Sequence, residues 1–284
     1  MTSISPLQQS YERRLARVTT YLHEHLDQPL DLQQLADLAC MSVYHWHRIY
    51  QGVHGESVIA TVKRLRLQKA AALLLRSDLR ISQIAAQVGY PNLQSFTRTF
   101  SQSYGLPPAR FRQQGVTMTL PTTAPELAAY PVSIREIDAI PVLQLAHRGS
   151  YMGISQSFDL LNSHAGARGW MNAETRWLGI FLDDPVVTPE AELRSFACIS
   201  LPSGWQDAVE APFTQQRLAA GKYAVLRYQG PYSAMQAVYQ WFCGQWLPAS
   251  GLEAADAPPF EDYLNNPRCT APADLLTDIY LPLR

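Results

Sequence analysis

A repeated pattern in the first 113 residues constrains this fold more than any other feature. An apolar stripe at helical spacing in residues 32–39 is followed by a turn and a second helical pattern in residues 42–50. Some 49 to 50 residues later, the same order recurs in residues 81–88 and 92–100. Each second helix is opened by Ser or Asn, which are good N-cap residues. The sequence therefore predicts an all-α region containing two helix-turn-helix units.

A strong helical pattern in residues 57–76 connects the two units. At ~1.5 Å per residue, its length is ~30 Å. Successive major-groove faces on one side of B-DNA lie ~34 Å apart. One chain is therefore expected to present two reading helices to adjacent grooves. The basic residues of the connecting helix are either contacts to the DNA backbone or solvating charge: Lys63, Arg64, Arg66 and Lys69.

The charge is divided unequally along the chain. Residues 1–115 carry a net charge of +6 and residues 116–284 carry −7, which together give the overall −1. A basic half joined to an acidic half indicates that the first half meets a polyanion, and the helical units make double-stranded DNA the expected partner.

Several classes of protein are disfavoured by the sequence. The first residues contain no apolar core of a secretory signal, and no apolar run approaches the ~20 residues of a membrane span. The four cysteines are far apart and form no CxxC pair, while the histidine pairs at 23/25 and 45/47 diverge on a helix. We expect a cytoplasmic protein with no metal, no cofactor and no membrane partner.

The second helix of each unit offers polar residues that suit base edges in the major groove. Gln94 suits adenine, and Arg98 suits guanine or a phosphate. Phe96 and Phe100 form the apolar stripe of the same helix. The candidate DNA-binding residues are Tyr44, His47 and Arg48 in the first unit, and Asn92, Gln94, Ser95, Thr97 and Arg98 in the second.

The residues from Gly89 to Arg112 resemble a family signature. Gly89-Tyr90-x-Asn92, Phe96-Thr97-Arg98-x-Phe100, Tyr104-Gly105-x-Pro107-Pro108 and Phe111-Arg112 are similar to the AraC/XylS family of transcription regulators. The resemblance implies two helix-turn-helix units on a linker helix, promoter binding, and base-reading roles for the positions named above. One departure is Cys40, which stands where relatives often have Gly. A left-handed conformation there costs on the order of 1 kcal/mol.

The second half contains a repeat of its own. Arg148-Gly-Ser-Tyr151 recurs as Gln229-Gly-Pro-Tyr232, and Phe181-Leu-Asp-Asp-Pro185 recurs as Tyr263-Leu-Asn-Asn-Pro267, at offsets of 81 and 82 residues. Each copy is predicted to run strand, helix, strand, strand. The first copy uses residues 132–148, 153–168, 176–183 and 194–201, and the second uses 213–229, 233–247, 259–265 and 275–282. Two such units predict a pseudo-symmetric α+β domain with a cleft between them.

One acid in this half is a candidate for ligand binding. Strand alternation places Glu261 and Tyr263 on one face, and the repeat places Gly179 opposite Glu261. A carboxylate among aromatic walls is a plausible cation pocket, whereas the simpler alternative is a glutamate at a strand edge. The candidate ligand-binding residues are Glu261, Tyr263, Trp170, Trp177, Phe181, Trp241 and Tyr232.

The second half resembles the gyrase-inhibitor-like effector-binding domain. The matching residues are Gly230-Pro231-Tyr232, Phe260-Glu261-x-Tyr263, Pro267 and the run from Thr277 to Leu283. That family binds amphipathic, often cationic small molecules in a cleft whose acid matches Glu261. Some members without a DNA-binding part are hydrolases, so an enzyme stays an alternative. The order of the two parts is similar to the right-origin-binding protein branch.

The sequence therefore predicts a multidomain regulator rather than an enzyme. We expect a DNA-binding domain at residues 8–114, a linker at 115–129 and an effector-binding domain at 130–284. The expected partners are promoter DNA, RNA polymerase and a small amphipathic effector, either cationic or neutral. The alternatives for the second domain are a small-molecule hydrolase and a protein-interaction module.

Overall fold

A computed structural model describes residues 6–117, 130–202 and 204–284. Its first part is helical throughout. The helices are α1 (Pro6–Glu24), α2 (Leu32–Leu38), α3 (Val43–His54), α4 (Val58–Arg76), α5 (Ile81–Gln87), α6 (Leu93–Tyr104) and α7 (Pro108–Thr117). The helix pairs α2–α3 and α5–α6 are the two predicted helix-turn-helix units. Helix α7 extends past the predicted domain end at residue 114, and residues 118–129 of the predicted linker lie outside the described part.

Helix α4 belongs to the hydrophobic cores of both units. Its first turns bury Val58 and Val62 with Trp46 and Tyr50 of the first unit. Its later turns pack Leu67, Ala70, Ala71 and Leu74 against Phe96 and Phe100 of the second unit. Any displacement of α4 therefore disturbs the packing beneath both second helices, because interiors at this density do not deform continuously.

The turns of the two units use different residues at equivalent positions. Gly89 has φ 73°, and a Cβ there would lie 2.7 Å from the Leu26 carbonyl oxygen and 2.8 Å from that of Asp27. Cys40 has φ 51°, so this residue does adopt the left-handed conformation whose cost is on the order of 1 kcal/mol. The second turn thus requires glycine, while the first accommodates a strained side chain.

The second part is built on one antiparallel sheet of eight strands. They are β1 (Val132–Ile137), β2 (Ile140–Arg148), β3 (Trp177–Phe181), β4 (Arg194–Ser200), β5 (Thr214–Leu218), β6 (Gly221–Gln229), β7 (Phe260–Tyr263) and β8 (Leu276–Pro282). The strand order across the sheet is β1-β6-β8-β7-β3-β4-β2-β5.

The prediction of one long strand at the start of each copy is wrong. Residues 132–148 form β1 and β2, and residues 213–229 form β5 and β6. Strand β1 pairs with β6, whereas β2 pairs with β4 and β5, so the chain changes neighbours at residues 138–139. A continuous apolar run does not reveal such an exchange, because pairing partners are chosen by the tertiary structure.

Two helices pack on one face of this sheet. Helix α8 (Ser155–Ala167) buries Leu161 and Ala165 against β2 and β4. Helix α9 (Met235–Trp241) buries Val238 against β6 and β8, and the chain stays helical to Ser250 through a π-helical turn at Phe242–Trp246. The central strands β7 and β3 lie between the areas that the helices cover.

Candidate functional site

A cavity of about 860 Å³ lies over the centre of the sheet, between α8 and α9. This volume falls within the range of natural sites for drug-sized ligands. Its walls come from β3, β7, both helices, the loops after β3 and β7, and helix α4 of the first part. The space is therefore bounded by both parts of the chain.

Glu261 is the buried acid of this cavity. Its side-chain oxygens accept hydrogen bonds from the hydroxyls of Tyr263, at 2.8 Å, and Tyr239, at 3.1 Å. Burial raises the pKa of Glu261 to about 7, and the two hydrogen bonds offset part of that effect. Among the ion pairs between described residues, none involves Glu261. The carboxylate is thus held ready for a positive charge that the described residues do not supply.

Gly179 makes room for this arrangement. It is the cross-strand partner of Glu261 in the β3–β7 pairing, at the position the repeat predicts. A Cβ at Gly179 would lie 2.7 Å from the Tyr263 hydroxyl oxygen and 3.0 Å from the Phe181 ring. The absence of a side chain therefore lets the Tyr263 hydroxyl reach the Glu261 carboxylate.

Three of the predicted aromatic residues line the cavity with Glu261 and Tyr263: Trp177, Phe181 and Tyr232. The Tyr232 ring lies edge-on to Tyr263, with ring centroids 5.3 Å apart. Phe181 packs edge-on to Tyr151 at 4.8 Å. These rings form the apolar walls around the acid.

The prediction that Trp170 and Trp241 line the cavity is wrong. Trp241 is 1% exposed and packs in the core between α9 and β6–β8. Trp170 packs on α8, and its indole nitrogen donates to Asp207 at 2.8 Å. Tryptophan content alone did not distinguish core residues from wall residues, since both bury a large apolar ring.

Sequence reasoning missed Tyr239 and the contribution of α4. Tyr239 lies seven residues after Tyr232, a spacing that places both on one helical face, so a signal was present. Arg64, Gln68 and Arg76 of α4 also line the cavity. Their role has no sequence signal, because it depends on how the two parts of the chain pack.

Helix α6 carries the polar face predicted to read DNA. Gln94 and Arg98 are exposed and lie one turn apart, whereas Ser95 and Thr97 are half-buried. Asn92 caps the helix, with its side-chain oxygen accepting the Ser95 amide at 2.8 Å. The exposed face of α6 is therefore centred on Gln94 and Arg98, with Asn92 setting where the helix begins.

Leu93, which sequence reasoning did not select, is 44% exposed in the first turn of α6. An exposed apolar side chain at this place matches the contacts that thymine methyl groups accept in the major groove.

In the first unit, α3 holds Arg48 exposed and His47 half-buried. The His47 ring lies edge-on to the buried Trp46, with centroids 6.0 Å apart. Tyr44 lies in α3, but its side chain is outside the described part of the structure.

Two arginines of α4 have partners within the protein. Arg66 donates to the carbonyl oxygens of Leu26, at 2.7 Å, and Gln28, at 2.5 Å. Arg64 pairs with Glu56 at 2.5 Å, and its side chain is 13% exposed. These internal bonds match neither of the two roles expected from the sequence, which were contact with the DNA backbone and solvating charge. Lys63 and Lys69 are exposed.

The described residues contain no group of three or more His, Cys, Asp or Glu side chains arranged to hold a metal ion. Within the same residues, no helix is both long and apolar enough to cross a membrane.

The two parts of the chain match two known domain families. Residues 130–284 match the GyrI-like small molecule binding domain, and residues 35–114 match a helix-turn-helix domain of the AraC type. The first match covers more than half of the chain. The chain belongs to the GyrI-like family. Its first part carries, in addition, a helix-turn-helix domain of the AraC type.

Curated relatives of this chain fall into two groups. The transcriptional regulator Rob of Salmonella typhimurium is 23% identical over 93% of this chain and 96% of its own length. The right origin-binding protein of Escherichia coli is 36% identical over 33% of this chain and 32% of its own length. An uncharacterized regulator of Bacillus subtilis, YbfP, is 33% identical over 36% of this chain. The chain thus spans about a third of YbfP, at 35%, and nearly all of Rob.

Proposed function

We propose that this protein is a transcription regulator that binds promoter DNA through α3 and α6 and senses an amphipathic cation with Glu261. The DNA-binding unit is assigned to residues 8–114, together with the end of α7, and the sensor to residues 130–284. The protein acts in the cytoplasm, where its DNA target lies. Its output is a change in promoter affinity or in engagement of RNA polymerase.

The observation that carries the sensor role is a buried carboxylate with hydrogen bonds but without a counter-ion among the described residues. Glu261 is 5% exposed, and two tyrosine hydroxyls hold its oxygens in place. Leaving a charge in such a place is costly unless a positive charge joins it. A cationic ligand supplies that charge and lowers the pKa of Glu261, because an opposite charge favours the ionised form.

The aromatic residues that line the cavity determine the chemical character of the rest of the ligand. Trp177, Phe181, Tyr232 and Tyr263 present aromatic rings around the carboxylate. Aromatic faces attract cations by about 0.5–2 kcal/mol each, depending on how far the pair is desolvated. The volume of about 860 Å³ exceeds what a small inorganic cation fills. The expected effector is therefore a drug-sized organic cation with apolar groups.

Calorimetric titration of the full chain with tetraphenylphosphonium tests this proposal. Wild type is expected to bind saturably, and Glu261→Gln is expected to lose binding because the neutral amide cannot pair with the cation. Glu174→Gln is the matched control, since Glu174 is exposed on the surface of the same domain. Equal affinity in wild type and Glu261→Gln would refute the role of the carboxylate.

The DNA-reading role is carried by the exposed pair Gln94 and Arg98 on α6. Arg98→Ala is expected to cost roughly 1–3 kcal/mol of specific binding. Equal losses on specific and random DNA would show that Arg98 contacts only phosphate. Binding by wild type is expected to weaken steeply with salt, since each neutralised phosphate releases counter-ions. A flat salt titration would contradict DNA binding by this face.

The two copies of the second part are proposed to be related by a pseudo-twofold axis between β3 and β7. The support is the strand order. If β1 is exchanged with β5, β2 with β6, β3 with β7 and β4 with β8, the same order is obtained when the sheet is read from its opposite edge. The axis would pass beside Gly179 and Glu261, which pair across it. On this account, Glu261 gives a carboxylate to only one of the two symmetry-related halves of the cleft.

A hydrolase is the second candidate function. Glu261, with a pKa of about 7, has the value expected of a general base at neutral pH. Incubation of the full chain with a cationic aryl ester distinguishes the two functions. Product that forms with wild type and not with Glu261→Gln supports hydrolysis, whereas saturable binding without product supports sensing.

A further inference from the structure

Three side chains of the DNA-binding region face the cavity that the sensor domain was expected to form alone. Arg64, Gln68 and Arg76 lie along α4, and all three line the cavity with Glu261. Gln68 is half-buried and Arg76 is exposed in the last turn of the helix. Successive positions are four and eight residues apart, about one and two helical turns, so the three side chains lie on one side of α4 and contribute one wall of the cavity.

A chain of buried ion pairs holds this wall against the sensor domain. Arg64 pairs with Glu56 at 2.5 Å, and Glu56 also lies 3.5 Å from the Arg268 guanidinium. Arg268 bonds Asp159 of α8 and donates to the His54 carbonyl oxygen at 2.8 Å. All four charged side chains are at most 17% exposed. Buried pairs of this kind fix geometry, since removing either partner leaves an uncompensated charge.

A second contact between the two parts lies at α1. His23 of α1 is 3.3 Å from the Asp159 carboxylate. Glu12 of α1 accepts hydrogen bonds from His164 at 2.6 Å and Arg168 at 2.8 Å, both near the end of α8. The wall at α4 is thus part of an extended polar interface.

Glu261 and Arg64 both line the cavity, although they come from different parts of the chain. Glu261 lies on the sheet, and the Arg64 guanidinium lies on the wall formed by α4. Tyr232 lines the same cavity as both residues, with its ring edge-on to Tyr263. A ligand that reaches Glu261 and fills the cavity therefore also meets α4.

We propose that the effector site is composite, with Glu261 binding the cationic end and Gln68, Arg64 and Arg76 of α4 contacting the remainder of the same ligand. This inference rests on the proposed sensing of an organic cation. It adds that α4, which packs beneath both DNA-reading helices, is itself part of the ligand site. Effector and DNA binding are then coupled through one helix, and each ligand changes the affinity of the other by the same factor.

Photolabelling of the full wild-type chain tests this directly. The probe is 4-benzoylbenzyl-trimethylammonium, an aromatic cation whose ketone inserts into neighbouring C–H bonds on irradiation. Label is expected within residues 58–76 as well as within residues 130–284, and excess tetraphenylphosphonium is expected to suppress both. Competed label confined to residues 130–284 would overturn the composite site and leave cation sensing intact. No competed label anywhere would overturn both proposals.

A pair of substitutions on α4 gives an independent measurement. Gln68→Trp fills the cavity from the α4 side and is expected to weaken tetraphenylphosphonium binding roughly tenfold or more. Ile59→Trp adds the same ring to a position on α4 that is 57% exposed and outside the cavity wall, so affinity is expected to match wild type. Unchanged affinity in a folded Gln68→Trp, with binding still lost in Glu261→Gln, would refute the wall and keep the sensor.

Discussion

Replacing Glu261 by glutamine is expected to stabilise the free protein while destroying its cation site. The Glu261 pKa rises from its ordinary 4.5 to about 7, chiefly through burial. Glu261 therefore loses its proton at a lower pH in the unfolded chain than in the folded chain. As a result, the free energy of unfolding falls as the pH rises from about 4.5 to 7. The full difference is worth about 3 kcal/mol above pH 7.

Glutamine removes this penalty because it stays neutral at every pH in question. Its amide retains partners, since the hydroxyls of Tyr239 and Tyr263 rotate to donate or to accept. At pH 8 the variant is expected to gain about 3 kcal/mol, or roughly 6–12 °C in the melting temperature of a domain of this size. At pH 4.5 wild-type Glu261 is protonated in the fold, so the gain is expected to be small.

Thermal unfolding at pH 4.5 and pH 8 measures this difference, with Glu174→Gln as the exposed control that should melt like wild type. A stability difference that does not change with pH would refute the reasoning. So would a variant that is less stable than wild type at pH 8, because that result requires Glu261 to be stabilising when charged.

Three further results are expected. Cation affinity should fall about tenfold for each pH unit below 7 and level off above it, because only ionised Glu261 pairs with the ligand; a pH-independent dissociation constant in calorimetry would contradict this. Gly89→Ala should destabilise the chain by roughly 2 kcal/mol or more through strain and backbone clashes, whereas Cys40→Gly should stabilise it by roughly 1 kcal/mol. The denaturant concentrations at the midpoints of unfolding compare the two variants. Equal shifts of the two midpoints would refute the account of the turns. Asp159→Asn should cost roughly 3–5 kcal/mol, because it removes one of the two carboxylates beside buried Arg268 and also the partner of His23. Unchanged thermal unfolding would show that this carboxylate is not needed.

Local features of this chain were predictable because they depend on short-range periodicity. The helix expected at residues 57–76 appears as Val58–Arg76, and the unit ending at Phe100 appears with Phe96 and Phe100 fully buried. The face shared by Glu261 and Tyr263 follows from strand alternation alone. Gly179, which lies 82 residues before Glu261, is its cross-strand partner in the β3–β7 pairing.

The predictions from sequence were wrong where strand pairing or side-chain packing decides the structure. The predicted single strand at residues 132–148 became two strands with different neighbours, and Trp170 and Trp241 became core residues. Both outcomes depend on which surfaces meet, which no window of sequence contains.

The sequence by itself determined the helix-turn-helix units, the polar face of α6 and the candidate acid, because each is written in residues close together along the chain. Only the tertiary structure decided that Glu261 is buried without a counter-ion and that α4 forms a wall of its cavity. Arg64 and Glu261 are almost 200 residues apart in sequence. Their placement around one cavity arises from the packing of two parts, which depends on many weak contacts at once.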